Sequence, residues 1–230
     1  MDFNIGIFGV VSIGGIDVWI TQTVVMTWII MAVLIAFAVV VRVKLQSFAQ
    51  VPSGFQNVIE LIIETFDGFV KSTAGPKLQF LGNWYFMVFT FIFVANLSGI
   101  FGFRPPTADW NMTFAFALST FILIQAMGLK YRGGKYIKGV LFEPHPLFLP
   151  MNIIGELARP VSLSFRLFGN ILAGMILMGV VYNVAPVFVQ IAIPAALHGY
   201  FDLITAALQT YIFCALSLAF ISNATGLQDE

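Results

Sequence analysis

The sequence predicts an all-α integral membrane protein, and three observations predict it. Apolar side chains make up 59% of the 230 residues and charged ones only 10%, with a mean hydropathy of +0.93. An ordinary soluble domain carries about 25% charged residues, so too few are present to clothe a surface in water. The apolar residues also fall in runs of membrane-crossing length, about 20 residues each, and cations gather at the ends of those runs. Formal net charge is zero, which argues against nucleic acid as a partner. A single cysteine, Cys214, excludes an internal disulfide framework and reads as a small buried apolar residue. The start, MDFNIGIFG, carries Asp2 and no basic flank, so it reads as a short polar lead into the first span and not as a cleaved signal.

Taken in order, residues 18–41 make the first transmembrane helix, closed by Arg42 and Lys44. Residues 52–72 differ in character: Val58, Leu61, Ile62, Phe66 and Phe69 recur at helical spacing, while Glu60, Glu64, Asp67 and Lys71 fall on other faces. That pattern is an amphipathic helix lying at the interface or against other helices. Residues 81–103 are the second span and 111–129 the third, ended by KYRGGKYIKG. The positive-inside rule sets the orientation. With Arg42 and Lys44 cytoplasmic, Lys71, Lys77, Lys130, Arg132, Lys135 and Lys138 fall on the same side, and Arg104 alone among the loop cations is external. The N-terminus is then outside and the C-terminus cytoplasmic.

The last two segments are overlong. From 147 to 183 no turn signal interrupts the chain, and Pro160 can kink a helix without ending it. A helix of this size is about 50 Å long, against a hydrocarbon layer near 30 Å, so it must tilt steeply. Residues 186–223 repeat the anomaly, with Pro194 and Gly199 near the start and the turn Asn183–Pro186 before it. Two such helices folded as a hairpin suggest a surface that wraps something. No repeat or soluble segment interrupts 1–230, which reads as one membrane domain of about five embedded helices plus the amphipathic one.

Polar groups break the oil of this hairpin. Arg159, Ser162, Arg166, Gly169, Asn170 and Ala173 recur at spacings of three, four and seven, hence on one helix face. Glu156 can neutralise Arg159, but no acid stands within one turn of Arg166. Insertion scales charge about 2.5 to 3.5 kcal/mol for an arginine at mid-membrane, so its partner must lie on another helix or another chain, or water must reach it. On the second helix His198, Asp202, Thr205 and Gln209 form a stripe at spacings of four, three and four. Small residues at Gly169, Ala173 and Gly174 let a neighbouring helix approach closely. Blander readings stand beside these: an Arg166–Asp202 salt bridge within the hairpin, Asn170 and Gln209 as interhelical glue, and His198 with Asp202 as two metal ligands lacking a third. Intramembrane ionisable groups most often mark ion pathways. No nucleophile with its base, zincin helix or phosphate loop is present, so neither bond-making chemistry nor a cofactor is expected.

PVSLSFRLFGNILAG (160–174) and LQTYIFCALSLAFISNA (208–224) resemble two motifs of the a subunit family of F-type ATP synthases, and the resemblance runs over essentially the whole chain. It implies a non-catalytic stator subunit of a rotary ATP synthase in a bacterial-type plasma membrane. Its implied partners are a ring of c subunits, the b subunits of the peripheral stalk and lipid. Arg166 matches the family's essential arginine, which separates two aqueous half-channels and attracts each ion-free c-ring carboxylate. Asn170 and Gln209 match polar residues near it. The resemblance also marks a departure: where many members carry Glu or His five residues after the matching Asn, Met175 stands here. Other members place an acid seven residues before the matching Gln, as Asp202 does, so Asp202 is expected to carry the relay, helped by His198 and Thr205. H⁺ and Na⁺ both remain open as the coupling ion. The alternative function is a stand-alone secondary transporter in which Arg166 binds an anionic substrate; it calls for inverted repeats, which the sequence lacks.

Overall fold

A computed structural model describes residues 6–13, 16–45, 54–142, 145–184 and 197–227. Two short strands, β1 (Ile7–Ile13) and β2 (Ile16–Thr21), pair antiparallel, with Val10 opposite Trp19 and a register shift between Ile7 and Gly9. Five helices follow: α1 (Gln22–Leu45), α2 (Phe55–Ala74), α3 (Gly82–Leu97), α4 (Trp110–Arg132) and α5 (Gly134–Phe142). Then come α6 (Leu149–Val184), a π-helical segment Gly199–Thr205, and α7 (Ala206–Thr225). Among the described residues five helical stretches are long and apolar enough to cross a membrane: Gln22–Leu45, Pro76–Phe101, Trp110–Arg132, Pro146–Asn183 and Gly199–Thr225. The protein is therefore an all-α integral membrane fold with a small β-hairpin added at its start.

Several boundaries differ from the sequence reading for identifiable reasons. Residues 18–21 belong to β2 and the first helix starts at Gln22, because Ile16, Val18 and Ile20 are β-branched and find backbone partners in β1. The hairpin closes onto the helix through the Gln22 N–H, which donates to the Gly6 carbonyl at 2.8 Å. After α3 the chain tightens into a 3-10 turn, Ser98–Phe101, and leaves it at Gly102 with φ of 75°. Only glycine takes that left-handed conformation without strain. The stretch expected to end the third span does so at Arg132, turns at Gly133 (φ 56°) and then forms α5. Of the 186–223 expectation, residues 186–196, including Pro194, lie outside the described residues, as do 185–186 of the expected turn and 52–53 of the amphipathic helix.

The chain divides into two compact units, and α1, α3, α4, α6 and α7 contribute residues to both. One unit comprises residues 1–43, 90–113 and 166–210. Within it the Thr107 hydroxyl donates to Asn96 Oδ1 at 2.5 Å, both residues being buried, and the 3-10 turn after α3 packs on the π-helical segment. α1 buries only Thr23, Met26 and Ile30 and leaves Trp28, Val33, Ile35 and Phe37 exposed, the pattern of a helix in lipid.

The other unit comprises residues 44–89, 114–165 and 211–230. Here α2 buries Ile59, Phe66, Val70 and Ala74. Phe66 meets the rings of Phe86 and Phe89 edge-on at 5.2 and 5.5 Å, contacts worth about 0.5–1.5 kcal/mol each beyond the area buried. The Ser222 hydroxyl donates to the Ala74 carbonyl at 3.3 Å and ties the end of α2 to α7. Val58, Leu61 and Ile62 stay exposed, so α2 keeps a second apolar face open, as a helix at a membrane interface does.

Candidate functional site

α6 is the element that carries the arginines. It runs 36 residues without a break through Pro160, about 54 Å at 1.5 Å per residue. Its inward positions are Leu163, Ser164, Leu167, Ile171, Gly174 and Met178, recurring every three or four residues. On the opposite face Ser162, Phe165, Arg166, Ala173, Ile176 and Leu177 are exposed and Gly169 is half-buried. Arg159 lies near one end: its guanidinium bonds Glu156 at 2.9 Å and stands 5.2 Å over the Phe220 ring. Arg166 makes no ion pair among the described residues. It points outward from a lane of small side chains, Ser162, Gly169 and Ala173, with bulkier apolar residues beside it. Gly174, grouped with that lane by sequence, instead faces inward, where a methyl group would stand 3.2 Å from the Phe201 ring.

Within the first unit a cavity of about 410 Å³ opens between elements. Its lining includes Asn170 and Met175 from α6, His198 and Asp202 from the π-helical stretch, Gly99 from the 3-10 turn, and Arg104 from the following loop. His198 Nδ1 lies 2.5 Å from Asp202 Oδ2. An ionised carboxylate only accepts, so the Nδ1–H donates and Nε2 is left as the acceptor in the neutral ring. Tyr182 Oη stands 3.5 Å from that Nε2. Asp202 therefore pairs with its own helix neighbour and makes no salt bridge to Arg166 within the hairpin. A π-helix is rare and clusters at functional sites, because its wider turn re-aims side chains. Here it spans Asp202.

The expected stripe thus separates. His198 and Asp202 reach the cavity, Thr205 is half-buried, and Gln209 is buried; neither Thr205 nor Gln209 is part of the lining. Asn170 sits at the edge between the two faces of α6, half-buried, one turn beyond Arg166. Sequence reasoning missed Gly99, Gln22 and Arg104 as cavity residues. Only Arg104 gave a signal, as the isolated external cation of GFRPP. No group of three His, Cys, Asp or Glu side chains able to hold a metal occurs among the described residues.

Fold and site together define a multi-pass membrane protein with a mid-helix arginine and an acid–histidine pair in a cavity of mixed polar and apolar lining. A family model described as ATP synthase A chain matches residues 24–222. The sodium ion specific ATP synthase subunit a of Propionigenium modestum is 36% identical over 231 residues, 90% of this chain and 75% of that protein. ATP synthase subunit a 2 of Syntrophotalea carbinolica is 36% identical over 211 residues, 88% of this chain and 85% of that protein. ATP synthase subunit a of Moorella thermoacetica is 35% identical over 205 residues, 89% and 90% respectively. The chain belongs to the ATP synthase subunit a family, the membrane ion-translocating part of F-type ATP synthases.

Proposed function

We propose that this chain is the stator half of a rotary ion path, with two offset aqueous half-channels kept apart by Arg166. Its partners are a ring of c subunits along the exposed face of α6, the b subunits of a peripheral stalk, and lipid around the remaining helices. It makes and breaks no covalent bond itself; ATP chemistry belongs to the rest of the complex. The carrying observation is that Arg166 is exposed and without an acid of its own chain among the described residues. An arginine stays charged at every working pH, so it cannot pass a proton along. It does stabilise an ion-free carboxylate that comes opposite, and so favours release of the ion into the exit channel. The counter-charge arrives transiently, from the ring.

The cavity with Asn170, His198 and Asp202 is the natural candidate for one half-channel. In the threading that keeps Arg42 and Lys44 cytoplasmic, the segments lining it run from the middle of α6 toward the outer side. The N-terminus is then outside and the C-terminus inside a plasma membrane of bacterial type. Asp202 relays the ion, with His198 as its hydrogen-bond partner. Thr205 and Gln209 continue the polar path along the same helix.

Cross-linking tests the rotor face. In a Cys214→Ala background, single cysteines at Ser162 and Ala173 should form disulfides with cysteines on the outward face of the c ring in the assembled complex. A cysteine at Ser164, buried on the other side, should not. Cross-links from position 164 but not from 162 or 173 would place the rotor on the wrong face and refute the reading. Reconstituted without a c ring, the chain should take up no anion, whereas the transporter alternative requires that it does.

A further inference from the structure

Gly99 has no backbone reason to be glycine. Its φ is not among the positive values, so any residue could adopt its conformation. An alanine in such a helical turn is favoured by about 1 kcal/mol over glycine. Space supplies the reason. A methyl group at Gly99 would lie 3.1 Å from Cγ and Oδ1 of Asp202 and 3.3 Å from Oδ2, inside the roughly 3.5–4.0 Å at which carbon packs comfortably. Oδ2 is also the oxygen that takes the His198 hydrogen bond. The carboxylate is thus held between an imidazole on one side and a bare Cα on the other. Its neighbour Phe201 is seated in the same manner against Gly174 of α6. Two successive residues of the π-helical segment rest on two glycines from two different elements.

We propose that Gly99 is a positioning residue for ion transfer: its missing side chain fixes where the Asp202 carboxylate stands and keeps that carboxylate open to the cavity. This rests on the reading of Asp202 as the relay. The charged and titratable groups around it are His198 on its own helix, Tyr182 of α6, and Arg104 of the loop after the 3-10 turn. A methyl at Gly99 displaces the carboxylate by a few tenths of an ångström and loosens the His198 bond, so the acid no longer stands where the ion is handed on.

The test is ATP-driven pumping by the whole complex in inverted vesicles, read as a function of pH and of Na⁺. Gly99→Ala should move the pH profile by about half a unit, or change the KM for Na⁺ two- to threefold, the same free energy expressed on either ion. Gly68→Ala, on an exposed site with open space around it, should move neither. In an Asp202→Asn background, measured on its residual pumping, Gly99→Ala should add no further shift. Asp202→Glu, which carries the acid past its seat without touching Gly99, should shift the profile even if Gly99→Ala fails to assemble. An altered profile in Asp202→Asn with an unaltered one in Gly99→Ala, or in Asp202→Glu, overturns the role of Gly99 alone. An equal Gly99→Ala shift in the absence of the Asp202 carboxylate overturns it too. An unaltered Asp202→Asn profile overturns the relay itself, and Gly99 with it.

Discussion

Arg166→Ala is expected to reduce ATP-driven ion pumping to background and to raise passive leak through the membrane sector. Both effects have one cause. On the proposed reading, loss of the fixed cation leaves nothing to bar an ion from stepping between the half-channels and nothing to draw the ion off a c-ring carboxylate at the exit. Folding supplies the control on this argument. An arginine at mid-membrane opposes insertion by about 2.5–3.5 kcal/mol, so the alanine variant should insert at least as well as the parent. A loss of pumping with undiminished subunit in the membrane is then a loss of function and not of structure. Arg166→Lys should retain part of the coupling and lose it progressively as pH rises, because a desolvated ammonium gives up its proton where a guanidinium does not. Vesicle acidification assays, paired with quantification of assembled complex, decide the matter. Undiminished coupled pumping by Arg166→Ala would remove the basis of the whole proposal.

The helices of this fold were legible because the membrane simplifies their code. With backbone groups obliged to bond internally, a lipid-facing run of apolar residues favours a helix. The first four observed spans lie within a few residues of the hydropathy runs, while the start expected for the last falls outside the described residues. The N-terminal hairpin was missed for the same reason. Its β-branched residues, Ile16, Val18 and Ile20, count as membrane-formers in a hydropathy window, although Gly14 and Gly15 between two apolar runs are a hairpin signal. Arg166 stood out because a charge in oil has a known cost. Asp202 and His198 stood out by their spacing, which on a helix also predicts their contact. Gly99 was not legible at all: a glycine that makes room for a carboxylate more than a hundred residues away looks like any other glycine until the fold brings them together. Nor did spacing reveal that Gly174 faces inward, since the inner and outer faces of an apolar helix differ only in what packs on them.

Gly128→Val should lower the stability of the folded chain by about 1–3 kcal/mol, the usual cost of forcing volume into a filled space. α4 buries one stripe, Thr113, Ala117, Thr120, Ile124 and Gly128, spaced at three and four residues. At the end of that stripe the chain turns at Gly133 and sends Tyr136 back onto the helix. A methyl at Gly128 would stand 2.6 Å from Cε2 and Cζ of the Tyr136 ring, a distance that no packing tolerates. The ring cannot step aside into solvent, because Tyr136 is only 2% exposed. Burial, with the Glu156 carboxylate adding to it, pushes its phenol up, while Arg159 and Arg132 pull the other way; the ring therefore stays neutral and apolar in bearing. It also walls a smaller cavity, of about 200 Å³, beside Gln125 and Glu156, where the Gln125 amide donates to Glu156 at 3.1 Å. Clash and cavity predict opposite signs for the pair. Tyr136→Ala alone leaves a void and costs about 3–5 kcal/mol by analogy with other large aromatic truncations, yet in the double variant the valine partly fills that void. The double variant should then be more stable than the sum of the singles by about 1 kcal/mol or more. Thermal inactivation of the solubilised complex and proteolysis after Lys130 measure this. Strictly additive effects would mean that Tyr136 does not seat on Gly128.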